Sequence, residues 1–157
     1  MEKGLIDDLW TRGGAHVIAV GALVDVARQH AAEIDAPDIE QWAFNGNYSA
    51  SIHLLIGFAF ELLLKSAYLL SGGDKANLSQ RGIGQDLIKA FDSAEELGFR
   101  SDAENLRSIL EYLREPHLKH YFRYGGPAQI AMPDLDATLV ALHTLAGELQ
   151  IQLANLP

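Results

Sequence analysis

Residues 113–125, LREPHLKHYFRYG, are the densest group of reactive side chains in the sequence, with two histidines, three cations and three aromatic rings. Cleavage of RNA without a metal needs a general acid or base whose pKa lies near neutrality, which histidine provides. It also needs a fixed cation beside the phosphate, and arginine binds phosphate through two parallel hydrogen bonds. Arg114 and His120, with five residues between them, are such a pair, and Arg114 with His117 is a closer alternative. The segment therefore predicts either an RNA-cleaving site or a loop anchored by its aromatic rings.

A second polar feature, formed by His53, Gly57, Glu61 and Lys65, repeats every four residues in an otherwise apolar stretch. At about 100° per residue these positions lie on one side of a helix, and we call them the polar line. Apolar packing cannot explain the polar line, so it must face another element, a partner chain or a water-filled groove. The simplest interpretation of Glu61 and Lys65 is an ion pair between residues i and i+4, worth about 0.3 kcal/mol where solvated.

Hydrophobic residues recur with helical spacing along the chain, and no run shows the sustained alternation typical of a strand. This pattern predicts an all-α fold, an up-and-down bundle of about five helices. We expect a single domain over residues 1–157. The predicted helices cover residues 5–11, 15–34, 48–70, 85–97, 101 or 102 to 116, and 133–154.

Glycines and prolines set the predicted helix ends. Gly13 and Gly14 stop the short opening helix, and Gly72 follows the end of the helix that carries the polar line. Pro116 interrupts the helix that leads into the histidines, because proline lacks an amide hydrogen and clashes with the preceding turn. Residues 71–84 are the longest polar and glycine-rich loop.

The composition, 48% hydrophobic and 21% charged over 157 residues, is typical of one soluble domain with a sizeable core. The formal charge of -9 opposes non-specific attraction to a polyanion, so RNA binding needs a local reversal of sign. Residues 112–126 offer such a reversal, because they contain three cations, Arg114, Lys119 and Arg123, and only one carboxylate, Glu115. The chain contains no cysteine, which excludes disulfides and thiolate metal sites.

The polar line argues against a membrane-spanning helix. Residues 52–70 are long enough to span a bilayer, but His53, Glu61 and Lys65 would each be costly in hydrocarbon. We therefore expect a buried core helix and no membrane partner. The charged N-terminus lacks the apolar region of a signal peptide, which predicts a cytoplasmic protein.

No phosphate-binding loop, metalloprotease or dinucleotide motif occurs in the sequence. A metal site built from Glu61 and a distant histidine is a weaker alternative. We expect no metal and no cofactor.

Three phrases resemble the HEPN superfamily of small helical bundles, which occur in prokaryotic toxin–antitoxin and defence systems. They are GFAFELLLKSAYLLSGG, then GIGQDLIKAF, then LREPHLKHYFRYG at the end of a helix. The resemblance covers roughly residues 43–125. The most specific part is ELLLK, from Glu61 to Lys65.

The resemblance implies an R-x(4-6)-H motif at a dimer interface that cleaves RNA without a metal. It implies Arg114 as phosphate clamp, Glu115 in the polar position after it, and His120 as general acid or base. The sequence departs from the family pattern in three places. Pro116 lies inside the motif, Gln85 stands where relatives often have histidine, and HYFRYG resembles the ending of branches without assured nuclease activity.

These observations lead to two main expectations. The first is a HEPN-like dimeric interaction module of a prokaryotic toxin–antitoxin, defence or nucleotide-linked system that does not itself cut RNA. The alternative is a metal-independent endoribonuclease acting on single-stranded RNA through Arg114 and His120 at the dimer interface. A third, weaker reading is a structural bundle with a small-ligand pocket along the polar line.

Both main readings predict a homodimer. An antitoxin, a nucleotidyltransferase-like protein and RNA are the further partners expected. The candidate substrate-binding residues are His117, Lys119, Arg123, Tyr124, Glu61 and Lys65.

Overall fold

The computed structural model describes residues 3–156, and every regular element in that part of the chain is helical, which confirms the all-α class. The α-helices are α1 Lys3–Glu33, α2 Ile39–Asn45, α3 Ser49–Leu70, α4 Leu87–Glu96, α5 Leu106–Leu118, α6 Tyr121–Tyr124 and α7 Leu135–Ala154, with a short 3₁₀ helix at Lys75–Leu78. Buried apolar residues from most of these helices form one hydrophobic cluster. The HEPN-like arrangement of the helices stays a prediction.

Helix α3 lies at the centre of the fold, and 13 of its 22 residues are buried. It packs against α1, α4 and α7. Its length and hydropathy satisfy the requirements of a membrane span, but 72% of its most apolar window is buried inside the protein. Helix α3 is therefore the core helix that the sequence predicts, and its start at Ser49 and end at Leu70 lie within one residue of expectation.

The predicted break at Gly13 and Gly14 is wrong, because α1 continues through both glycines for 31 residues. Glycine inside a helix costs about 1 kcal/mol relative to alanine, an amount that tertiary packing overrides. Gly13 is buried where α1 approaches α3, and a Cβ atom there would lie 2.9 Å from Leu63 Cγ and 3.4 Å from Leu62 Cβ. Its missing side chain therefore lets the two longest helices pack closely.

The predicted interruption at Pro116 is also wrong, because α5 runs through it to Leu118. Proline at this position removes one helical hydrogen bond, the one that would reach the carbonyl of Tyr112. Pro116 lies in the last turn and is buried, so the helix has little left to lose beyond it. The C-cap of the helix is Lys119, whose amide donates to Glu115 O at 3.0 Å, and His120 then takes a left-handed conformation with φ 54°.

Helix α7 begins at Leu135, two residues after the predicted start, because Asp134 is its N-cap and accepts from the amide of Ala137 at 2.8 Å. It runs antiparallel to α1. Trp10 Nε1 donates to Ala146 O at 3.0 Å near one end, and Arg28 Nη2 bonds Asp136 Oδ1 at 3.0 Å near the other.

Helix α2 is an element that the sequence analysis left out. Asp38 caps it by accepting from the amide of Gln41 at 2.9 Å. Arg28 of α1 binds both carboxylate oxygens of Glu40 at 2.8 Å, which ties α2 to the long helix before it.

Candidate functional site

The polar line of α3 faces the last turn of α5 in the same chain. Glu61 Oε1 accepts a hydrogen bond from Lys65 Nζ at 2.6 Å, and Glu61 Oε2 lies 2.7 Å from His117 Nε2. Glu61 and His117 are only 8% and 7% exposed. The predicted pair of Glu61 and Lys65 is thus present, and His117 completes a buried cluster of three side chains.

Gly57 explains how the His117 ring reaches Glu61. A Cβ atom at residue 57 would collide with His117 Nδ1 and lie 3.2 Å from His117 Cγ. Gly57 therefore leaves space for the imidazole ring of His117. Glu61, one turn later on the polar line, supplies the carboxylate that the ring contacts.

The cluster keeps Glu61 ionised in spite of its burial. Burial alone would raise the pKa of Glu61, but the hydrogen bonds from His117 and Lys65 outweigh it and lower the pKa below its usual value. A buried carboxylate that accepts a hydrogen bond from an imidazole ring fixes the orientation of that ring. The three residues predicted to bind substrate contact each other here, and their part in substrate binding stays a prediction.

Arg114, the predicted phosphate clamp, is bound at both ends of its fork by Asp86. Its Nε donates to Asp86 Oδ1 at 3.0 Å and its Nη2 donates to Asp86 Oδ2 at 2.7 Å. Asp86 is also the N-cap of α4, accepting from the amide of Lys89 at 3.1 Å. Burial favours the neutral acid, but these bonds lower the pKa of Asp86, and the same carboxylate raises the pKa of Arg114.

His120, the predicted acid or base, lies in the turn between α5 and α6. Its ring packs edge-on to Tyr124, with 6.1 Å between ring centroids. His120 and Asp86 line the same open groove of about 430 Å³, between the 80–86 loop and the end of α5, with Lys89 and Leu118 beside them. Through Asp86, the structure brings Arg114 and His120 to one region of the surface.

The other predicted site residues lie on the surface next to this turn. Lys119 donates to Glu115 Oε1, and Tyr121 donates to the same oxygen at 3.3 Å. The bond with Lys119 lowers the pKa of Glu115, and Glu115 in turn raises the pKa of Lys119. The guanidinium of Arg123 lies 5.1 Å from the centre of the Tyr124 ring, and both side chains are exposed.

Sequence reasoning missed Asp86, the partner of Arg114. The available signal was an aspartate directly before a helix, which predicts an N-cap. Nothing in the sequence indicates that its carboxylate also binds an arginine 28 residues later.

His53 contacts the ring of Phe122, which the sequence did not predict. Its ring lies 5.3 Å from the Phe122 ring, so α3 packs against α6 through two aromatic groups. Among residues 3–156, His53 Nδ1 is the one buried side-chain nitrogen or oxygen without a hydrogen-bond partner. Burial lowers the pKa of His53 to about 4, although the backbone of Phe44 acts in the opposite direction. His53 is therefore neutral at physiological pH.

Within residues 3–156, no three histidine, aspartate or glutamate side chains are arranged to hold a metal ion. Comparison with family models, with curated proteins and with solved structures finds no match to this chain. The HEPN resemblance therefore depends on the three quoted phrases, and it stays a prediction.

Proposed function

We propose that this chain is a HEPN-like interaction module that acts as a homodimer in a prokaryotic toxin–antitoxin, defence or nucleotide-linked system and does not itself cleave RNA. The main support for the absence of cleavage is that Asp86 binds Arg114 through two hydrogen bonds. An antitoxin or a nucleotidyltransferase-like protein is the further partner in this proposal.

The pairing opposes catalysis for a simple electrostatic reason. A phosphate must displace a carboxylate that matches the arginine fork, and it must do so in a protein with a formal charge of -9. The alternative pair of Arg114 and His117 meets a second obstacle, because the His117 ring is buried against Glu61 and away from any substrate.

One observation favours the second candidate, a metal-independent endoribonuclease. His120 lines an open groove together with the carboxylate that holds Arg114, so a single displacement of Asp86 would leave a cation and an imidazole near the same phosphate. A general acid or base must lie within hydrogen-bond reach of the proton that it transfers. In this reading, RNA binding and release of Asp86 are one step.

The experiment that separates the two readings is cleavage of a labelled single-stranded RNA in EDTA by the parent and four variants. Arg114→Ala and His120→Ala test the motif. Arg107→Ala and His143→Ala are matched controls, because Arg107 is an equally exposed, carboxylate-bound arginine and His143 is an exposed histidine on α7.

We expect no cleavage by the parent protein or by any variant. Cleavage by the parent that is lost in both motif variants and kept in both controls would overturn the proposed module and establish the nuclease. Cleavage that persists in all four variants would indicate a contaminating ribonuclease and leave the proposed module standing.

A further inference from the structure

A second groove, of about 330 Å³, lies where the end of α2, the start of α3 and the segment before α7 meet, and we call it the His53 groove. It shares no lining residue with the groove beside His120. A volume of about 300 to 1,000 Å³ with mainly apolar walls and a few polar groups is typical of a small-molecule site. The apolar part of the lining consists of Phe44, Ile130, Met132, Pro133 and Leu135.

The His53 ring is the part of this lining that lacks a partner. The side chain is only 7% exposed, and its Nδ1 is shielded from water without a hydrogen bond. A buried polar atom that stays unpaired is destabilising, and such atoms are rare in folded proteins. The fold therefore keeps an unpaired polar atom in the wall of a groove that is large enough for a ligand.

The tautomer of His53 decides which chemistry fits Nδ1. Burial lowers the pKa of His53 to about 4, so the ring is neutral at physiological pH. The backbone of Phe44 opposes this shift of the pKa, as a carbonyl that accepts from a ring N–H does. Since Nδ1 has no partner, that N–H is at Nε2, and Nδ1 is a hydrogen-bond acceptor. A ligand must therefore donate a hydrogen bond to it.

The charge of the groove favours a neutral ligand. Asp134 is the one charged side chain among the lining residues, and its Oδ1 already accepts from the amide of Ala137. An anion would meet this carboxylate in a protein with a formal charge of -9. A cation would lose its hydration between largely apolar walls. Neither kind of ion fits as well as a neutral donor.

We propose that the His53 groove binds a small, neutral aromatic compound whose N–H or O–H group donates to His53 Nδ1. The apolar walls remove the ring of the ligand from water, and the Phe122 ring, 5.3 Å from the His53 ring between centroids, supports the imidazole. Met132 moves aside to let the donor reach Nδ1, because its unbranched side chain adapts easily. The site goes beyond the proposed function, since none of its lining residues belongs to residues 113–125.

The test is an NMR titration of the whole chain with ¹³C-labelled methionine methyl groups. The sequence contains only two methionines, so the loss of one signal in Met132→Leu assigns the signal of Met132. Indole and phenol are the donor probes. 1-Methylindole and anisole are their matched controls, because each keeps the aromatic ring and has a methyl group in place of the donor hydrogen.

We expect the donor probes to shift the Met132 signal with a Kd of about 1 mM, since each probe has few atoms. The methylated controls should bind about tenfold more weakly, because they cannot donate to Nδ1. Only the donor probes should move the ¹⁵N signal of His53 Nδ1 toward that of a hydrogen-bonded ring nitrogen. Binding of indole alone assigns the site to N–H donors, and binding of phenol alone assigns it to O–H donors.

Two variants test the part played by His53. His53→Phe keeps a ring and removes the acceptor, so it should bind the donor probes about tenfold more weakly than the parent. His143→Phe makes the same change at an exposed histidine on α7 and should bind like the parent.

Three results would overturn the inference. They are an unchanged Met132 signal with either donor probe at about 10 mM, tenfold above the expected Kd, equal binding of the donor and methylated probes, and equal binding by the parent and His53→Phe. If His53→Phe does not fold, the comparison of donor and methylated probes on the parent decides.

Discussion

Glu61 and His53 lie on the same face of α3, but the side chains around them favour the charged form of Glu61 and the neutral form of His53. Glu61 is charged because Lys65 and His117 donate to its two oxygens. His53 has no such partner at Nδ1 and packs against Phe122, so burial keeps it neutral. Two residues of one polar line thus differ in charge because of side chains that come from other helices.

Glu61→Gln should destabilise the fold by about 3 kcal/mol, because removing one partner of a buried ion pair leaves the others uncompensated. The loss should be visible as a lower midpoint of urea unfolding at pH 7. Glu104→Gln, at an exposed position, is the matched control and should change the midpoint little. Equal losses in the two variants would mean that the buried cluster contributes nothing to stability.

His53 should make the fold sensitive to acid. The pKa of His53 is about 4 in the folded protein and has its ordinary value of 6.5 in the unfolded chain, so the unfolded chain takes up the proton first as the pH falls. The stabilisation is therefore complete above pH 6.5 and is lost as the pH falls from 6.5 to 4, by about 3 kcal/mol in total.

The check is urea unfolding of the parent and His53→Leu at pH 7 and pH 4.5. The parent should lose more stability than the variant between the two pH values, by about 2 to 3 kcal/mol. Replacement of the exposed His143 by leucine should leave the parent's pH dependence unchanged. A parallel fall in parent and His53→Leu would show that other groups cause the acid sensitivity.

At the scale of helices, the molecule is arranged around α3. Helix α1 packs along it through Gly13, and the end of α5 packs on it through His117 at Gly57. Both approaches use a glycine at a helix contact, where the missing Cβ atom admits a neighbouring side chain. The same residue type thus marks close packing inside these helices and a helix end at Gly72, where φ is 96°.

Gly13 and Gly14 form a matched pair that tests this interpretation. In an open helical position alanine stabilises by about 1 kcal/mol relative to glycine, so Gly14→Ala should raise stability, since nothing lies within 4 Å of its added Cβ atom. Gly13→Ala should lower stability by about 1 to 3 kcal/mol, because the added atom overpacks the buried Leu63. Thermal unfolding of the two variants decides, and stabilisation by both would mean that the α1 and α3 contact yields at little cost.

At the scale of the whole molecule, the surface carries several exposed large apolar side chains. Ile18 on α1 and Tyr124 on α6 are exposed to a similar degree, 75% and 76%. Scattered exposed apolar residues are normal in soluble proteins, so exposure alone does not identify an interface. The predicted homodimer brings the two copies of residues 113–125 together. In that dimer Tyr124 lies at the interface and Ile18 does not.

Light scattering should give twice the 17.2 kDa chain mass at high micromolar concentration. Tyr124→Asp should shift the protein toward the monomer, because a charge would be buried at the symmetric contact. Ile18→Asp adds the same charge at an equally exposed apolar site and should leave the dimer intact. A parent that remains strictly monomeric would contradict a site at the dimer interface and weaken both proposed functions.

The sequence by itself determined the helical class, the extent of the central helix, and the fact that its polar side chains need a facing group. These follow from hydrophobic periodicity and capping, which depend on residues a few positions apart. The helix ends predicted at Gly13, Gly14 and Pro116 were nevertheless wrong, because tertiary packing compensates for the low helix propensity of glycine and proline.

The tertiary structure alone decided which groups face the reactive side chains. Glu61 meets His117 over a separation of 56 residues, and Arg114 meets Asp86 over 28. No local pattern encodes such pairs, since they arise only when separate helices pack on one another. Spacing in the sequence could place Arg114 and His120 near each other, but only the fold shows that a carboxylate already occupies the arginine.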